Sequence, residues 1–303
     1  MQSRNCKLTH INNIYLFYIK ETIMNIKILA DSTCDLSAEQ LKEHNIGLAK
    51  LTIVKNGEAF RDGDTIFPDD IFAHVAAGGA LCSTTAYNIS EYEELFAQYA
   101  DKHDGVIFVS LGSGFSSSYQ NACIAADEFS NVRVVDSMNL STGHGLVVLE
   151  ACRLVAEGLD LDEIVEKLNA FTPRVEASFL LDQLAYMVKG GRCSAVAALS
   201  ANLLGLKPCI EVRDGKMGVV KKYRGKYEKC LASYVKDRLA DREDIIRDEL
   251  FLTYTPVNDN CLAAVKEAIA EHGHFNTVYE TTAGCTVSCH CGPGTLGVLF
   301  VRK

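Results

Sequence analysis

The sequence predicts an α/β protein of two domains: an N-terminal parallel sheet flanked by helices, and a C-terminal domain with a mixed sheet. Two observations lead to this prediction. From Met24 onward, apolar runs of strand length alternate with runs of helical pattern, an order typical of a parallel sheet covered on both faces. After Pro173, hairpin patterns appear beside helices and favour a mixed sheet. We expect a ligand cleft between the two domains.

The predicted elements of the first domain, residues 24–172, follow in order along the chain. Strands are expected at 26–30, 47–54, 105–110 and 131–136, and helices at 89–100, 116–129 and 145–158. Polar clusters follow three of these strands, at 31–35, 110–116 and 136–137. Because ligands bind at the carboxyl ends of parallel strands, these clusters predict a site at that edge of the sheet.

The second domain, residues 173–303, has shorter and more varied elements. A hairpin is predicted over 207–223, because an Asp-Gly turn pair separates its two apolar runs. The other expected strands are 175–181, 249–255, 275–282 and 295–301, and the helical segments are 182–192, 194–205 and 259–271.

Residues 1–23 differ in pattern from the rest of the chain. Their short apolar core is interrupted by Asn, and they lack the ordered regions of a signal peptide. Met24 begins MNIKILADST, a regular start for a first strand. We interpret 1–23 as a non-native or disordered extension and expect translation to start at Met24, which an intact mass of the natively expressed protein would test.

Composition excludes several classes of protein. The chain has 303 residues, 48% of them hydrophobic, and a net charge of −9, which argues against a nucleic-acid-binding surface. It contains no run of eighteen apolar residues, so we expect no stable membrane insertion. Twelve cysteines without a secretory signal predict reduced thiols in the cytoplasm. The cluster Cys285, Cys289, His290 and Cys291 lacks the spacing of a standard metal site, and we expect no metal there.

The strand, loop and helix over residues 105–122 form the most informative segment. Its Gly- and Ser-rich loop can direct backbone N–H groups and hydroxyls at an anion above the sheet. It lacks the Lys of a phosphate-binding loop, the third Gly of a dinucleotide fingerprint and the frame of a nucleophile elbow. The pattern therefore predicts oxyanion binding without nucleophilic attack.

Five segments together carry a resemblance to a known family. They are DSTCDL (31–36), STTAYNISEY (83–92), SGFSSSYQNA (113–122), LAYMVKGGR (184–192) and HCGPGTLG (290–297). In this order they resemble the DegV family, whose members bind fatty acids and, in many bacteria, present the acyl chain to a fatty-acid kinase. The resemblance covers nearly everything after Met24. It implies a non-enzymatic carrier in phospholipid metabolism, with a long-chain fatty acid as bound ligand and no cofactor.

The resemblance also implies which residues bind the carboxylate. The family's Thr, Ser and His align with Thr84, Ser116 and His290. Two hydroxyls and an imidazole can satisfy both oxygens of a carboxylate. Three neighbouring hydroxyl residues are additional candidate contacts to the head group: Thr85, Ser113 and Ser117. Thr85-Ala86-Tyr87 and Ser117 depart from the family pattern, which leaves head-group geometry and chain length open.

Basic residues outside this trio are the candidates for docking the kinase partner. The resemblance places Arg192, after the Gly190-Gly191 pair, on the surface that faces the kinase, and Lys189 lies beside it. A second basic run contains Arg224 and could steer an acidic partner: Lys216, Lys221, Lys222, Arg224, Lys226 and Lys229. Transient contact with a membrane is also expected when the lipid is exchanged.

Two alternatives remain open from the residues alone. Ser113 or Ser116 with His290 and an Asp could form a Ser–His esterase or thioesterase. A small polar pocket would instead favour a small-carbonyl binding subunit like that of dihydroxyacetone-type kinases. A long apolar tunnel would favour the carrier, and its candidate wall residues are Ile28, Leu51, Ile53, Phe179, Leu199 and Leu203.

Overall fold

The structure is a computed structural model that describes residues 24–199 and 205–303. The predicted extension 1–23 lies outside the described residues, as do Leu203, the side chain of Leu199 and the end of the helical run 194–205. Strands and helices alternate along most of the described chain, and the prediction of an α/β fold with one parallel and one mixed sheet is confirmed.

The strands fall into three sheets. They are β1 (Ile26–Asp31), β2 (Gly47–Ala49), β3 (Thr52–Lys55), β4 (Glu58–Arg61), β5 (Ser83–Thr85), β6 (Gly105–Ser110), β7 (Val132–Asp136), β8 (Val175–Leu180), β9 (Leu206–Arg213), β10 (Lys216–Arg224), β11 (Ile245–Tyr254), β12 (Thr277–Thr282) and β13 (Leu296–Arg302).

The described helices connect these strands. They are α1 (Ala38–Glu43), α2 (Pro68–Ala76), α3 (Ile89–Ala100), α4 (Ser118–Ala126), α5 (Ser141–Ala156), α6 (Leu161–Phe171), α7 (Ala185–Gly190), α8 (Ser194–Leu199), α9 (Tyr227–Leu239), α10 (Asp259–His272) and α11 (Cys285–Cys291). Short 3₁₀ turns occupy Ser32–Cys34 and Thr172–Arg174.

The first sheet is parallel, with strand order β2-β1-β6-β7. Its residues alternate between two apolar layers, as the period of a strand requires. Leu29 and Phe108 face α3 and α4, whereas Ile28 and Ile107 face α5 and α6. Burial on both faces explains why β6 is a nearly continuous apolar run and why β1 is apolar apart from Lys27 and the terminal Asp31.

Helix α5 lies between the two large sheets, and most of its residues are buried. It contacts β1 and β6 on one side and β8, β11 and β13 on the other. We predicted its start at residue 145, but the helix begins at Ser141. The predicted start was wrong because STGH adds no apolar residue to the helical pattern, whereas these residues are buried between the sheets.

The second sheet is mixed, with strand order β10-β9-β8-β13-β11-β12. Its outer face packs on α9 and α10. The predicted hairpin is confirmed as β9 and β10, and Asp214 and Gly215 both have positive φ (50° and 69°), as a type I′ turn requires. The predicted helix 259–271 corresponds to α10.

The predicted strand 47–54 is wrong, because two strands occupy this segment. β2 pairs in parallel with β1, whereas β3 pairs antiparallel with β4 and β5 in a separate three-stranded sheet. The break falls at Leu51, whose N–H donates to Ser32 Oγ (3.2 Å) and whose carbonyl accepts from the Asp62 N–H (2.9 Å). With both groups used, Leu51 cannot continue the ladder with β1.

Two further features of the described residues concern membrane-spanning helices and free thiols. None of the described helices combines the length and the apolar character that crossing a bilayer requires. Eleven cysteines of the described chain are free thiols, and nine of them are buried.

We expect Gly145→Ala to destabilise the protein. A Cβ at Gly145 would lie 2.6 Å from the Cys34 carbonyl oxygen, so α5 would have to move away from the Ser32–Cys34 turn. Overpacking of this kind costs about 1–3 kcal/mol, more than the ~1 kcal/mol that Ala gains over Gly in a helix. Urea unfolding should show the loss. Gly218→Ala, where a Cβ meets no atom within 4 Å, is the control; equal stability of the two variants would contradict this account.

Candidate functional site

A cavity of about 250 Å³ lies between the parallel sheet and the C-terminal half of the chain. Its wall is mostly apolar, with residues from both halves: Leu51, Ala86, Leu111, Phe115, Leu140, Met187, Met217, Val287 and Cys291. The polar and charged residues of the wall are Thr33, Thr84, Thr85, Ser116, Ser117, Arg192, Thr286 and His290. An apolar cavity with a few polar groups is typical of a small-molecule site.

Thr84 and His290 form one hydrogen-bonded pair in this wall. Thr84 lies on β5, which β3 holds by antiparallel pairing, and His290 lies near the end of α11. Thr84 Oγ1 and His290 Nε2 are 2.9 Å apart. Burial, together with the nearby Arg192 guanidinium, lowers the pKa of His290 to about 4. The imidazole is therefore neutral at pH 7 and carries a single N–H.

The surroundings of His290 indicate which nitrogen carries that hydrogen. Nδ1 is buried and has no hydrogen-bond partner in the described part of the chain. Because a buried N–H without an acceptor is more costly than an unused lone pair, we assign the hydrogen to Nε2. Nε2–H then donates to Thr84 Oγ1, and the Thr84 hydroxyl hydrogen remains available for a ligand in the cavity.

Ser116 also lines the cavity and lies in the loop before α4. Its Oγ accepts from the Ser118 N–H (3.2 Å) and lies 3.2 Å from Ser118 Oγ. Ser117 and Thr85 also line the cavity. Ser113 does not: it is exposed, and its N–H donates to Asp136 Oδ1 (3.1 Å) at the end of β7. Of the three additional head-group candidates, the structure brings two to the cavity.

The structure places the three predicted docking residues on different elements. Arg192 lies in the cavity wall, where its guanidinium donates to the carbonyls of Phe115 (3.4 Å) and Gly190 (2.7 Å). Lys189 is exposed on α7. Arg224 is exposed at the end of β10, seven residues beyond the cavity residue Met217, which is about 23 Å along a strand.

Two carboxylates hold the start of α11 and thereby position His290. Asp62 Oδ1 accepts from the Cys285 N–H (3.0 Å), and its Oδ2 accepts from Thr286 Oγ1 (2.7 Å). Asp35 Oδ1 accepts from the Gly284 N–H (2.9 Å). A negative charge at a helix N-terminus is favourable, and these carboxylates also satisfy amides that the helix leaves unpaired. Burial raises the pKa of Asp35 to about 7, and the nearby Asp62 contributes to the rise.

The sequence analysis did not identify Thr286 and Asp62. Asp62 lies in a short loop after β4 with no recognisable pattern, and only the fold brings it to α11. Thr33, in contrast, belongs to the polar cluster 31–35 at the end of β1, which was predicted to lie at the site.

The cysteines next to His290 in the sequence lie in two different environments. Cys285 and Cys289 pack with Cys82 and three isoleucines, whereas Cys291 lines the cavity. Within residues 24–199 and 205–303, no group of three His, Cys, Asp or Glu side chains is arranged to hold a metal ion.

Of the predicted tail-binding residues, Leu51 lies in the cavity wall. Ile28 and Ile53 are buried in the apolar core and do not line the cavity. Phe179 lines a smaller apolar space of about 30 Å³, which shares Leu140, Val287 and Cys291 with the main cavity.

The hydrogen bonds of Ser116 and His290 also bear on the alternative of a Ser–His esterase or thioesterase. In the described chain His290 Nε2 bonds to Thr84, and Ser116 Oγ bonds to Ser118, so no hydrogen bond joins Ser116 to His290. A general base must lie within hydrogen-bond reach of the nucleophile that it activates. The described hydrogen bonds therefore do not form the Ser–His pair that this alternative requires.

Fold and site together define an α/β protein with one parallel, one mixed and one small antiparallel sheet, and with a mostly apolar cavity that carries several hydroxyl groups. A family model described as an uncharacterised protein of the DegV family matches residues 25–303. A DegV domain-containing protein of Clostridium acetobutylicum is 32% identical over 280 residues, covering 92% of this chain and 99% of that protein. The chain belongs to the DegV family.

Solved structures of the family have the same fold. A DegV family protein from Thermus thermophilus, described by its fatty-acid binding, has a TM-score of 0.86 and 26% identity and covers 92% of this chain and all of that one. DegV from Bacillus subtilis, described as a fatty-acid-binding protein, has a TM-score of 0.77 and 24% identity with the same coverage. At 24% identity, the similarity to the Bacillus subtilis structure supports the fold alone.

We expect Gly190→Ala to disturb the His290 pair. A Cβ at Gly190 would lie 2.3 Å from His290 Nδ1, so the imidazole would have to move, and its bond to Thr84 Oγ1 would lengthen or break. Because the Thr84–His290 hydrogen bond would be weakened, the affinity of the cavity for its ligand should fall about tenfold, which corresponds to the loss of one hydrogen bond. ¹⁵N NMR of the imidazole would report the change, with Gly218→Ala as control. An unchanged His290 spectrum in the Gly190 variant would contradict the contact.

Proposed function

We propose that this protein binds a long-chain fatty acid, with the carboxylate at Thr84, Ser116 and His290 and the tail along the apolar wall of the cavity. The observation that carries the proposal is the Thr84–His290 pair, which lies with Ser116 in the wall of a mostly apolar cavity. Thr85 and Ser117 are further head-group contacts. The Thermus thermophilus relative, described by its fatty-acid binding, supports the ligand class.

The charge and chemistry of the polar wall suit a carboxylate. Thr84 can donate its hydroxyl hydrogen because its oxygen already accepts from His290 Nε2, and Ser116 supplies a second hydroxyl. Arg192 adds a positive charge whose observed hydrogen-bond acceptors are two neutral carbonyls. Hydrogen bonds to an ionised acceptor are the stronger ones, about 1.5–3 kcal/mol each.

The apolar wall supplies the larger share of the binding free energy. Each buried methylene contributes about 0.8 kcal/mol, so a sixteen-carbon chain gains on the order of 10 kcal/mol before the cost of ordering it. This gain requires the cavity to widen or lengthen around the tail. The apolar space beside Phe179, behind Leu140, Val287 and Cys291, offers one direction.

We further propose that the protein acts in the cytoplasm as a carrier without catalytic activity of its own. It presents the bound carboxylate to a fatty-acid kinase, which forms the acyl phosphate for phospholipid metabolism. Arg192 at the cavity, with Lys189 and Arg224 on the surface, would face the acidic partner. The free thiols of the described chain suit a reducing compartment. Brief contact with a membrane would exchange the lipid.

The first prediction concerns the head group. The double variant Thr84→Ala/Ser116→Ala should bind a long-chain fatty acid at least ~100-fold more weakly, because two hydrogen bonds to the carboxylate are lost. Native mass spectrometry with organic extraction would show a stoichiometric fatty acid on the wild-type protein and none on the variant. Ser83→Ala/Thr277→Ala, which removes two exposed hydroxyls outside the cavity, is the matched control. A wild-type protein that takes up no fatty acid would refute the proposal.

The second prediction concerns docking. Lys189→Glu/Arg224→Glu should raise the KM for the carrier at least ~10-fold in an ATP-dependent assay with the fatty-acid kinase of the same cell, because rim charges steer association. Fatty-acid affinity should not change. Lys42→Glu/Lys102→Glu makes the same change of charge at two exposed lysines on other parts of the surface. Equal KM values for the two double variants would rule out this docking surface.

A further inference from the structure

The main cavity is small for the ligand that we propose for it. Its volume is about 250 Å³, whereas pockets that enclose drug-sized ligands measure about 300–1,000 Å³. A long acyl tail must therefore extend beyond it. The neighbouring apolar space beside Phe179, of about 30 Å³, shares Leu140, Val287 and Cys291 with the main cavity. These three side chains separate the two spaces, so a tail that enters the small space has to pass between them.

The walls of the small space suit the end of an alkyl chain. Six of its residues carry hydroxyl groups: Ser141, Ser178, Thr253, Tyr254, Thr255 and Thr295. Each of these hydroxyls forms a hydrogen bond of 2.6–2.9 Å with another group of the protein. Since these groups already have partners, a polar ligand atom would lose its bonds to water there without replacement. At Thr84, in contrast, the hydroxyl hydrogen remains available for a head group.

A single carboxylate fixes the two helices that border this passage. Asp35 Oδ2 accepts from the hydroxyl of Ser141, the first residue of α5 (2.6 Å), and its Oδ1 accepts from the Gly284 N–H, just before α11 (2.9 Å). Leu140 immediately precedes Ser141, and Val287 lies three residues after Gly284. The two helix starts therefore cannot move apart without breaking a buried hydrogen bond. The side chains between them set the width of the passage.

Cys291 has the smallest side chain at this passage. It lies four positions after Val287 on α11, so the two residues share one face of the helix. Its side chain is buried, and its carbonyl accepts from Thr295 Oγ1 (2.9 Å), which holds the end of α11 in place. We propose that the end of the acyl tail passes Cys291 into the small space, and that the side chain at this position determines the longest fatty acid that the protein binds.

The role of Cys291 rests on the proposed function, because it requires a fatty acid whose carboxylate lies at the Thr84–His290 pair. His290 precedes Cys291 in the chain, so an effect on the tail has to be separated from an effect on the head group. A larger side chain at the passage would shorten the room for the tail and leave short chains unaffected. A displaced imidazole would instead weaken the binding of every chain length alike.

The test is a series of saturated fatty acids of increasing length, each used to displace a fluorescent fatty acid from the whole protein. With the wild-type protein, each added methylene should raise the affinity about fourfold until the tail fills the small space. In Cys291→Leu this rise should stop at a shorter chain length, so that the longest acids bind at least ~10-fold more weakly than to the wild type. The shortest acids should bind equally well to both proteins. Cys291→Ala should extend the rise to longer chains.

Two further variants separate the passage from general effects of mutation. Ala283 lines the small space but not the main cavity, so Ala283→Val fills the small space and leaves the passage unchanged. It should also stop the rise in affinity at a shorter chain length, and it decides the question if Cys291→Leu does not fold. Cys123→Leu makes the same exchange at a partly exposed cysteine that lines neither space and should keep the wild-type profile. Near-wild-type melting temperatures would show which variants fold.

The outcomes distinguish the role of Cys291 from the proposed function. A wild-type protein that binds no fatty acid of any length refutes the proposed function itself. If the wild-type protein binds fatty acids and the profiles of Cys291→Leu and Ala283→Val follow the wild-type profile, the tail lies elsewhere and the role of Cys291 is overturned. A loss of affinity in Cys291→Leu that is equal at every chain length would assign its effect to the head group and overturn that role as well.

Discussion

The carboxylates of Asp35 and Asp62 at the start of α11 are the interaction on which the site depends. Both come from the N-terminal half, and the amides that they accept from belong to the last helix. Through these bonds the segment that carries His290 is fixed relative to β5 and Thr84. Each carboxylate is buried, so its loss would leave amides unpaired as well as remove an attraction. The geometry of the polar wall follows from this contact between the halves.

The two carboxylates position one part of the polar wall, whereas the fold as a whole supplies the frame around the cavity. The two large sheets and α5 provide a rigid frame, in which helices fill the space between layers. The cavity lies at one end of this frame, where the loop after β6, the small sheet of β5 and the helix α11 meet. Of the residues that line the cavity, only Met217 on β10 belongs to the frame; the others come from connecting segments, the small sheet and the short helices α7 and α11. This division is common in α/β proteins, where scaffolds position loops that bind.

Much of the fold was predictable, because β1, β6 and β7 are compact apolar runs and the Asp-Gly turn identifies a hairpin. The start of α5 and the break at Leu51 were not, since both depend on what packs around them. The trio of Thr84, Ser116 and His290 came from family resemblance. Nothing in the spacing pairs Thr84 with His290, which lie 206 positions apart.

The position of β13 has a consequence for how the chain reaches this structure. β13 lies between β8 and β11, two strands that precede it and that have no ladder with each other. Until β13 inserts, each of them has an open edge that can pair with another chain. Such late, long-range pairing gives a high contact order and slow folding. We expect a folding intermediate with an ordered parallel sheet and an incomplete second sheet. This intermediate would associate with other copies of the chain through its open strand edges. Its cavity would still lack the part of the wall that the C-terminal half supplies.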